Sequence, residues 1–139
     1  VLLLPMTGGM IVTDYLIDSS AWVEYFDGTA AGEKVKQILE DPLNSCYTCR
    51  IVVCEVTSQA ARKNMPFEDY LIEMKTKSHD AREDVDDYYH TGIKHAELKK
   101  IIPRISYTDA LLITLSEKRR MKIVSKDAHL KGKNTLRLR

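Results

Sequence analysis

The chain has 139 residues, a formal net charge of +1, 44% hydrophobic and 29% charged side chains. That is one domain of ordinary soluble composition, able to bury a core without the help of disulfides or metals. No run approaches the ~20 apolar residues that cross a bilayer, so a membrane span is excluded, while the charge balance excludes neither a nucleic-acid nor a protein partner. The charge is unevenly spread. From Lys118 onward the only acid is Asp127, against Arg119, Arg120, Lys122, Lys126, Lys131, Lys133, Arg137 and Arg139, whereas Asp80 to Asp87 is acidic.

The opening VLLLPMTGGM holds a short apolar stretch with no basic residue before it and Pro5 within it. A signal peptide is therefore not expected, and the protein is expected in the cytoplasm. Residues 1–10 are read as an N-terminal extension, with Met10 as an alternative start, and residues 11–139 as one domain. Ile11 to Asp18 reads as a first strand. Ser19 and Ser20 offer an N-cap for a short helix through Trp22 and Phe26 that Gly28 closes. Ala30 to Leu39 reads as a second helix, stopped by Asp41-Pro42.

Cys46 to Thr48 is the next strand, and a helix follows from Ile51. The spacing of Cys46 and Cys49 suits redox or zinc chemistry, but no second pair completes a zinc site. All three cysteines, Cys54 included, are read as small buried apolar residues. Pro66 suits the first turn of another helix, with Phe67, Tyr70, Leu71 and Met74 as its core face. From Lys77 to Asp87 the pattern fades, and any strand there is short. Tyr88 to Ile101 is helical again. Thr108 is the candidate N-cap of DALLITLSEKRR, whose acidic start and basic end match the helix dipole. Met121 to Ser125 is a strand, and Leu136 to Leu138 a last edge strand. Strands alternating with helices imply an α/β fold whose parallel sheet is covered on both faces.

Four acids stand in or beside apolar runs: Asp18 in YLIDSSAW, Glu55 in IVVCEVTS, Asp109 in SYTDALLI and Asp127 in KIVSKDAHL. A carboxylate beside buried apolar surface must be paired, hydrogen-bonded, protonated or bound to a metal. In parallel α/β sheets ligands bind beyond the carboxyl ends of the strands, where the strand order reverses. Asp18 ends the first strand and Asp127 follows the Met121–Ser125 strand. Asp109 begins the helix entering that strand, and Glu55 sits early in the helix after the second. All four fit one sheet edge. Each also has a plain explanation alone: a cap at Asp18, solvation at Glu55, the helix dipole at Asp109 and a turn at Asp127. Together they make an oxygen-only donor set suited to Mg²⁺ or Mn²⁺. The four histidines, His79, His90, His95 and His129, show no metal-binding spacing.

These residues resemble the PIN-domain ribonucleases, in particular VapC-type toxins of toxin–antitoxin pairs, over Ile11 to Arg139. YLIDSSAWVEYF and DALLITLSEKRRMKIVSKDAHL carry the resemblance most specifically. It implies a PIN-like three-layer α/β/α sandwich with a mostly parallel central sheet. It further implies Mg²⁺- or Mn²⁺-dependent endoribonuclease activity, with Asp18, Glu55, Asp109 and Asp127 as catalytic and metal-binding residues. Ser19 and Ser125 would orient ligands or water from behind them, and Arg119, Arg120, Lys126 and Lys131 are candidate phosphate contacts. RNA as substrate, a cognate antitoxin and a second copy of the chain are the implied partners. Two departures stand out: Lys77–Asp87 lacks a clear third strand, and His129 stands where the family often has an acid. A PIN-like module that binds RNA or protein without cutting is the alternative. A phosphotransfer protein using Asp18 as nucleophile fits less well, because no second acid lies two residues on and no glycine-rich phosphate loop follows a strand.

Overall fold

The computed structural model of the chain describes residues 12–130 and 132–139. The expected extension 1–10 and Lys131 lie outside the described residues. Strands and helices alternate: β1 (Thr13–Ile17), α1 (Ser19–Asp27), α2 (Ala30–Glu40), β2 (Asn44–Thr48), α3 (Arg50–Arg62), α4 (Phe67–Lys77), β3 (His79–Asp80), α5 (Val85–Lys99), α6 (Tyr107–Arg119), β4 (Lys122–Ser125) and β5 (Thr135–Arg137). A 3₁₀ turn, Ala128–Leu130, separates the last two strands.

The sheet order is β3-β2-β1-β4-β5, and every pairing is parallel rather than mostly so. The chain steps outward from β1 through β2 to β3, then returns to β4 on the other side of β1. The order therefore reverses between β1 and β4, which is where a parallel sheet opens a cleft. Right-handed crossovers assign α1–α4 to one face and α5–α6 to the other. Packing agrees: α1 lies on α2 and α3, α3 on α4, and α5 on α6. The result is a three-layer α/β/α sandwich.

Leu16 and Ile17 of β1, Ile123 and Val124 of β4, Trp22 of α1 and Leu111, Leu112 and Leu115 of α6 are buried in one core. The Trp22 indole donates to Thr48 Oγ1 at 3.1 Å, so its polar tip is satisfied inside the core. From Thr108 to Ser116 every residue of α6 is buried, as the unbroken apolar run requires of a helix covered all round. Gly32 lets α2 meet α1: a Cβ there would stand 1.9 Å from the Glu24 carbonyl oxygen.

Several sequence expectations shift. Ser106, not Thr108, caps α6, in a capping box with Asp109. Asp18 itself caps α1. The α5 helix starts at Val85, three residues before the apolar pattern resumes, because Asp84 and Asp87 form a second capping box. On α4 only Met74 is buried; Phe67 and Leu71 are exposed. Cys46 and Cys49 are buried as expected, but Cys54 is exposed. Among the described residues no helix is long and apolar enough to cross a membrane.

The inward stripe of α5 is mostly polar: Asp87, Thr91, His95 and Leu98. Asp87 is buried and meets Lys118 Nζ at 2.6 Å and Arg119 Nη2 at 2.7 Å, pinning the start of α5 to the end of α6. Burial raises its pKa, but the Lys118 hydrogen bond, the Asp84 backbone N–H and the two cations outweigh it and bring the carboxyl down to about 2. A lowered native value makes this stabilisation complete above the ordinary carboxylate pKa and lost as pH falls toward about 2. Replacing Asp87 by Ala is expected to cost about 2–3 kcal/mol in urea unfolding at pH 7, less than a fully buried pair because both cations reach solvent. The difference between the two proteins should shrink as the pH is lowered below about 4.

Candidate active site

The switch point brings the carboxyl ends of β1 and β4 side by side, with Ile17 opposite Val124. Asp18 follows Ile17 directly, and its backbone N–H extends the ladder to the Val124 carbonyl at 3.0 Å. Its buried side chain accepts from the Ser19 N–H at 2.7 Å on Oδ1, and from Ser125 Oγ at 2.6 Å and Ser20 Oγ at 3.2 Å on Oδ2. Ser20 Oγ in turn receives the Lys126 N–H at 2.9 Å, and Ser125 Oγ receives the Asp127 N–H at 2.9 Å. One hydroxyl network thus fixes Asp18 and the loop that carries Asp127.

Glu55 lies in the second turn of α3, where its Oε2 accepts from Thr108 Oγ1 at 3.2 Å. Its Oε1 is buried with no hydrogen-bond partner. Asp109, the N3 residue of α6, is buried and receives the Ser106 N–H at 3.4 Å. Asp18, Glu55 and Asp109 thus come from three separate segments, and the Asp127 backbone is tied to the first through Ser125.

The electrostatics report their proximity. Burial pushes the Asp18 carboxyl up against the pull of its three donors, and the Asp127 charge pushes it further. Burial also raises Glu55; Thr108 and Ser19 pull it back, while Asp18 and Asp109 add to the rise. Asp109 is raised by burial first, then by Asp127 and Asp18, against the Ser106 bonds. Each of these acids feels at least one of the others, the signature of like charges sharing a site.

A hard divalent cation fits this donor set in chemistry: all side-chain donors are oxygens, and one buried oxygen, Glu55 Oε1, has no partner. Among the described residues no three His, Cys, Asp or Glu side chains are gathered closely enough to hold an ion as they stand. Asp18, Glu55 and Asp109 each accept hydrogen bonds from neighbouring residues of the chain.

The other residues singled out in the sequence have these places. Ser19 and Ser125 both contact Asp18. Arg119 binds Asp87 and the Ala81 carbonyl oxygen. Lys126 pairs with Glu24. Arg120 is exposed and ends α6 in the left-handed region at φ 55°. Sequence reasoning missed Ser20, Thr108 and Ser106 as holders of the acids. The first two stand within two residues of an acid, and Ser106 lies at the capping-box distance from Asp109.

A model of the PIN domain matches residues 15–134, and the chain belongs to that family. Solved structures share the fold. VapBC2 of Rickettsia felis, bound to a DNA fragment from its promoter, superposes with a TM-score of 0.71 at 13% identity, covering 91% of this chain and 100% of that one. A toxin–antitoxin complex of Klebsiella pneumoniae gives 0.68 at 14%, covering 88% and 95%. VapC20 of Mycobacterium tuberculosis, a toxin that cleaves the sarcin–ricin loop, gives 0.63 at 15%, covering 82% and 90%. No curated protein matches the chain significantly in sequence.

Carboxylates with raised native pKa values favour folding less when ionised. The metal-free protein should therefore lose stability as pH rises through the raised values and regain it as pH falls back toward the ordinary ones. Replacing Glu55 by Gln keeps an acceptor for Thr108 and removes one charge. It is expected to raise metal-free stability at pH 7.5 by about 1 kcal/mol, read by chemical denaturation with EDTA present, with the gain vanishing near pH 4.

Proposed function

We propose that the chain is a metal-dependent endoribonuclease, acting as the toxin of a toxin–antitoxin pair in the cytoplasm. The observation that carries this reading is the convergence of Asp18, Glu55 and Asp109 on one sheet edge, each raised by burial and by the other acids. Membership in the PIN family and the fold shared with VapC20 support RNA as the substrate. The fold shared with toxin–antitoxin complexes supports an antitoxin. Exposed apolar side chains on α4 and α5, among them Phe67, Leu71, Tyr89 and Ile93, leave surface for that partner and for a second copy of the chain.

Asp18, Glu55, Asp109 and Asp127 would hold one or two Mg²⁺ or Mn²⁺ ions. Such ions supply a more acidic water and neutralise charge on the phosphate. The protein's own contribution is preorganisation. Ser125 and the Ser19 N–H fix both oxygens of Asp18 before any ligand arrives. Thr108 fixes one oxygen of Glu55 and leaves Oε1 buried without a hydrogen-bond partner, open to a cation. The Ser106 N–H fixes one oxygen of Asp109. These bonds spare the carboxylates reorganisation during the reaction.

The test is cleavage of single-stranded and structured RNA with Mg²⁺ or Mn²⁺, with EDTA, and with Asp18→Asn. The expectation is turnover that EDTA abolishes and that Asp18→Asn reduces by at least ~100-fold, the scale of losing one preorganised charge contact. Full activity in EDTA would sink the metal mechanism. Cation binding with no turnover on any RNA would leave a PIN-like binding module instead.

A further inference from the structure

Tyr107 opens α6 two positions before Asp109, at the same end of the helix as that acid. The residue is 72% exposed. The ring is nonetheless not loose. It stacks on His95 of α5 with centroids 4.2 Å apart and planes 27° off parallel. His95 is itself buried and bonded through Nε2 to the Ile105 carbonyl at 3.2 Å. A carbonyl only accepts, so Nε2 carries the hydrogen and the imidazole is fixed in its plane. One face of Tyr107 is thus braced by an anchored ring.

The segment leading to Tyr107 is basic. From Thr91 to Thr108 the only acid is Glu97, against Lys94, Lys99, Lys100 and Arg104. Lys94 is paired with Glu117, while Lys99, Lys100 and Arg104 are exposed. Lys99 holds the turn through a 2.8 Å bond to the Pro103 carbonyl. A braced, exposed aromatic beside exposed cations is the arrangement that receives single-stranded nucleic acid, with the base on the ring and the backbone on the charges.

We propose that Tyr107 is a stacking platform for one nucleobase of single-stranded RNA bound at the acid cleft. Stacking there seats the strand beside Asp109, with Lys100 and Arg104 meeting its phosphates. The proposal rests on the ribonuclease reading for its substrate, but its test does not require turnover.

Binding is measured on the Asp18→Asn chain, which leaves RNA intact, with an oligoribonucleotide that carries 2-aminopurine at one scanned position. At one position fluorescence should be quenched on binding. Tyr107→Leu should abolish that quench and weaken binding about 5- to 150-fold, one base stack at 1–3 kcal/mol. Tyr107→Phe should restore both, and an abasic nucleotide at that position should make Tyr107 and Tyr107→Leu bind alike. Unchanged affinity and quench in Tyr107→Leu overturn the platform, as does a loss that persists with the abasic strand, or no RNA binding by any form. Cleavage by the unaltered chain with no Tyr107 dependence overturns the platform alone. Tyr107-dependent binding without cleavage overturns the nuclease reading and leaves the platform standing.

Discussion

The Asp18 carboxylate is buried at the switch point of the sheet and kept there by donors on both sides of it. Ser19 and Ser20 come from the helix it caps, and Ser125 comes from the end of β4. This cluster links the carboxyl ends of β1 and β4 beyond their ladder. The same hydroxyls receive the Lys126 and Asp127 backbone N–H groups, so the Asp127 loop follows from how Asp18 is satisfied. Without those donors a carboxylate this deep would be uncompensated.

From that anchor the other acids are placed by different means. Asp109 arrives through helix capping, since the Ser106 box sets the first turn of α6. Glu55 arrives through a tie between helices from opposite faces of the sheet, Thr108 to Glu55 across the cleft. Asp18 and Glu55 therefore have their own local supports, and the donors seen on them are uncharged. The fold places Asp18, Glu55 and Asp109 in the field of other acids at a cost in stability. Asp87 shows the contrast. It is just as buried, but two cations meet it, its pKa falls, and it serves the scaffold.

Much of this was legible in the sequence because it rests on local rules. Asp18 at the end of an apolar run, Asp109 at a helix start and Asp127 after a strand each carry a positional meaning that survives without a structure. Placing Asp18 and Asp127 on one edge required β1 and β4 to be neighbours, and the register makes them so. What was not legible depends on contacts distant in sequence. The Ser20–Lys126 and Glu55–Thr108 bonds span 106 and 53 residues. The helix caps at Ser106 and Asp84 were readable as capping boxes, but apolar periodicity drew attention to Thr108 and Tyr88 instead. The α4 face was half right: Met74 is buried and Tyr70 packs against the core on Phe26, while Phe67 and Leu71 are exposed. Arg119 and Lys126, expected as candidate phosphate contacts, are both engaged with acids of the same chain.

The central claim is that the crowded carboxylates form one cation site. It is tested most directly by titrating Mn²⁺ into the metal-free protein at pH 7.5 while following the melting temperature. The account predicts a saturable rise in Tm, since an ion bound only by the folded chain stabilises it by mass action, and a markedly weaker response in Asp18→Asn. A melting temperature that stays flat into the millimolar range, or a rise that Asp18→Asn leaves unchanged, would contradict it.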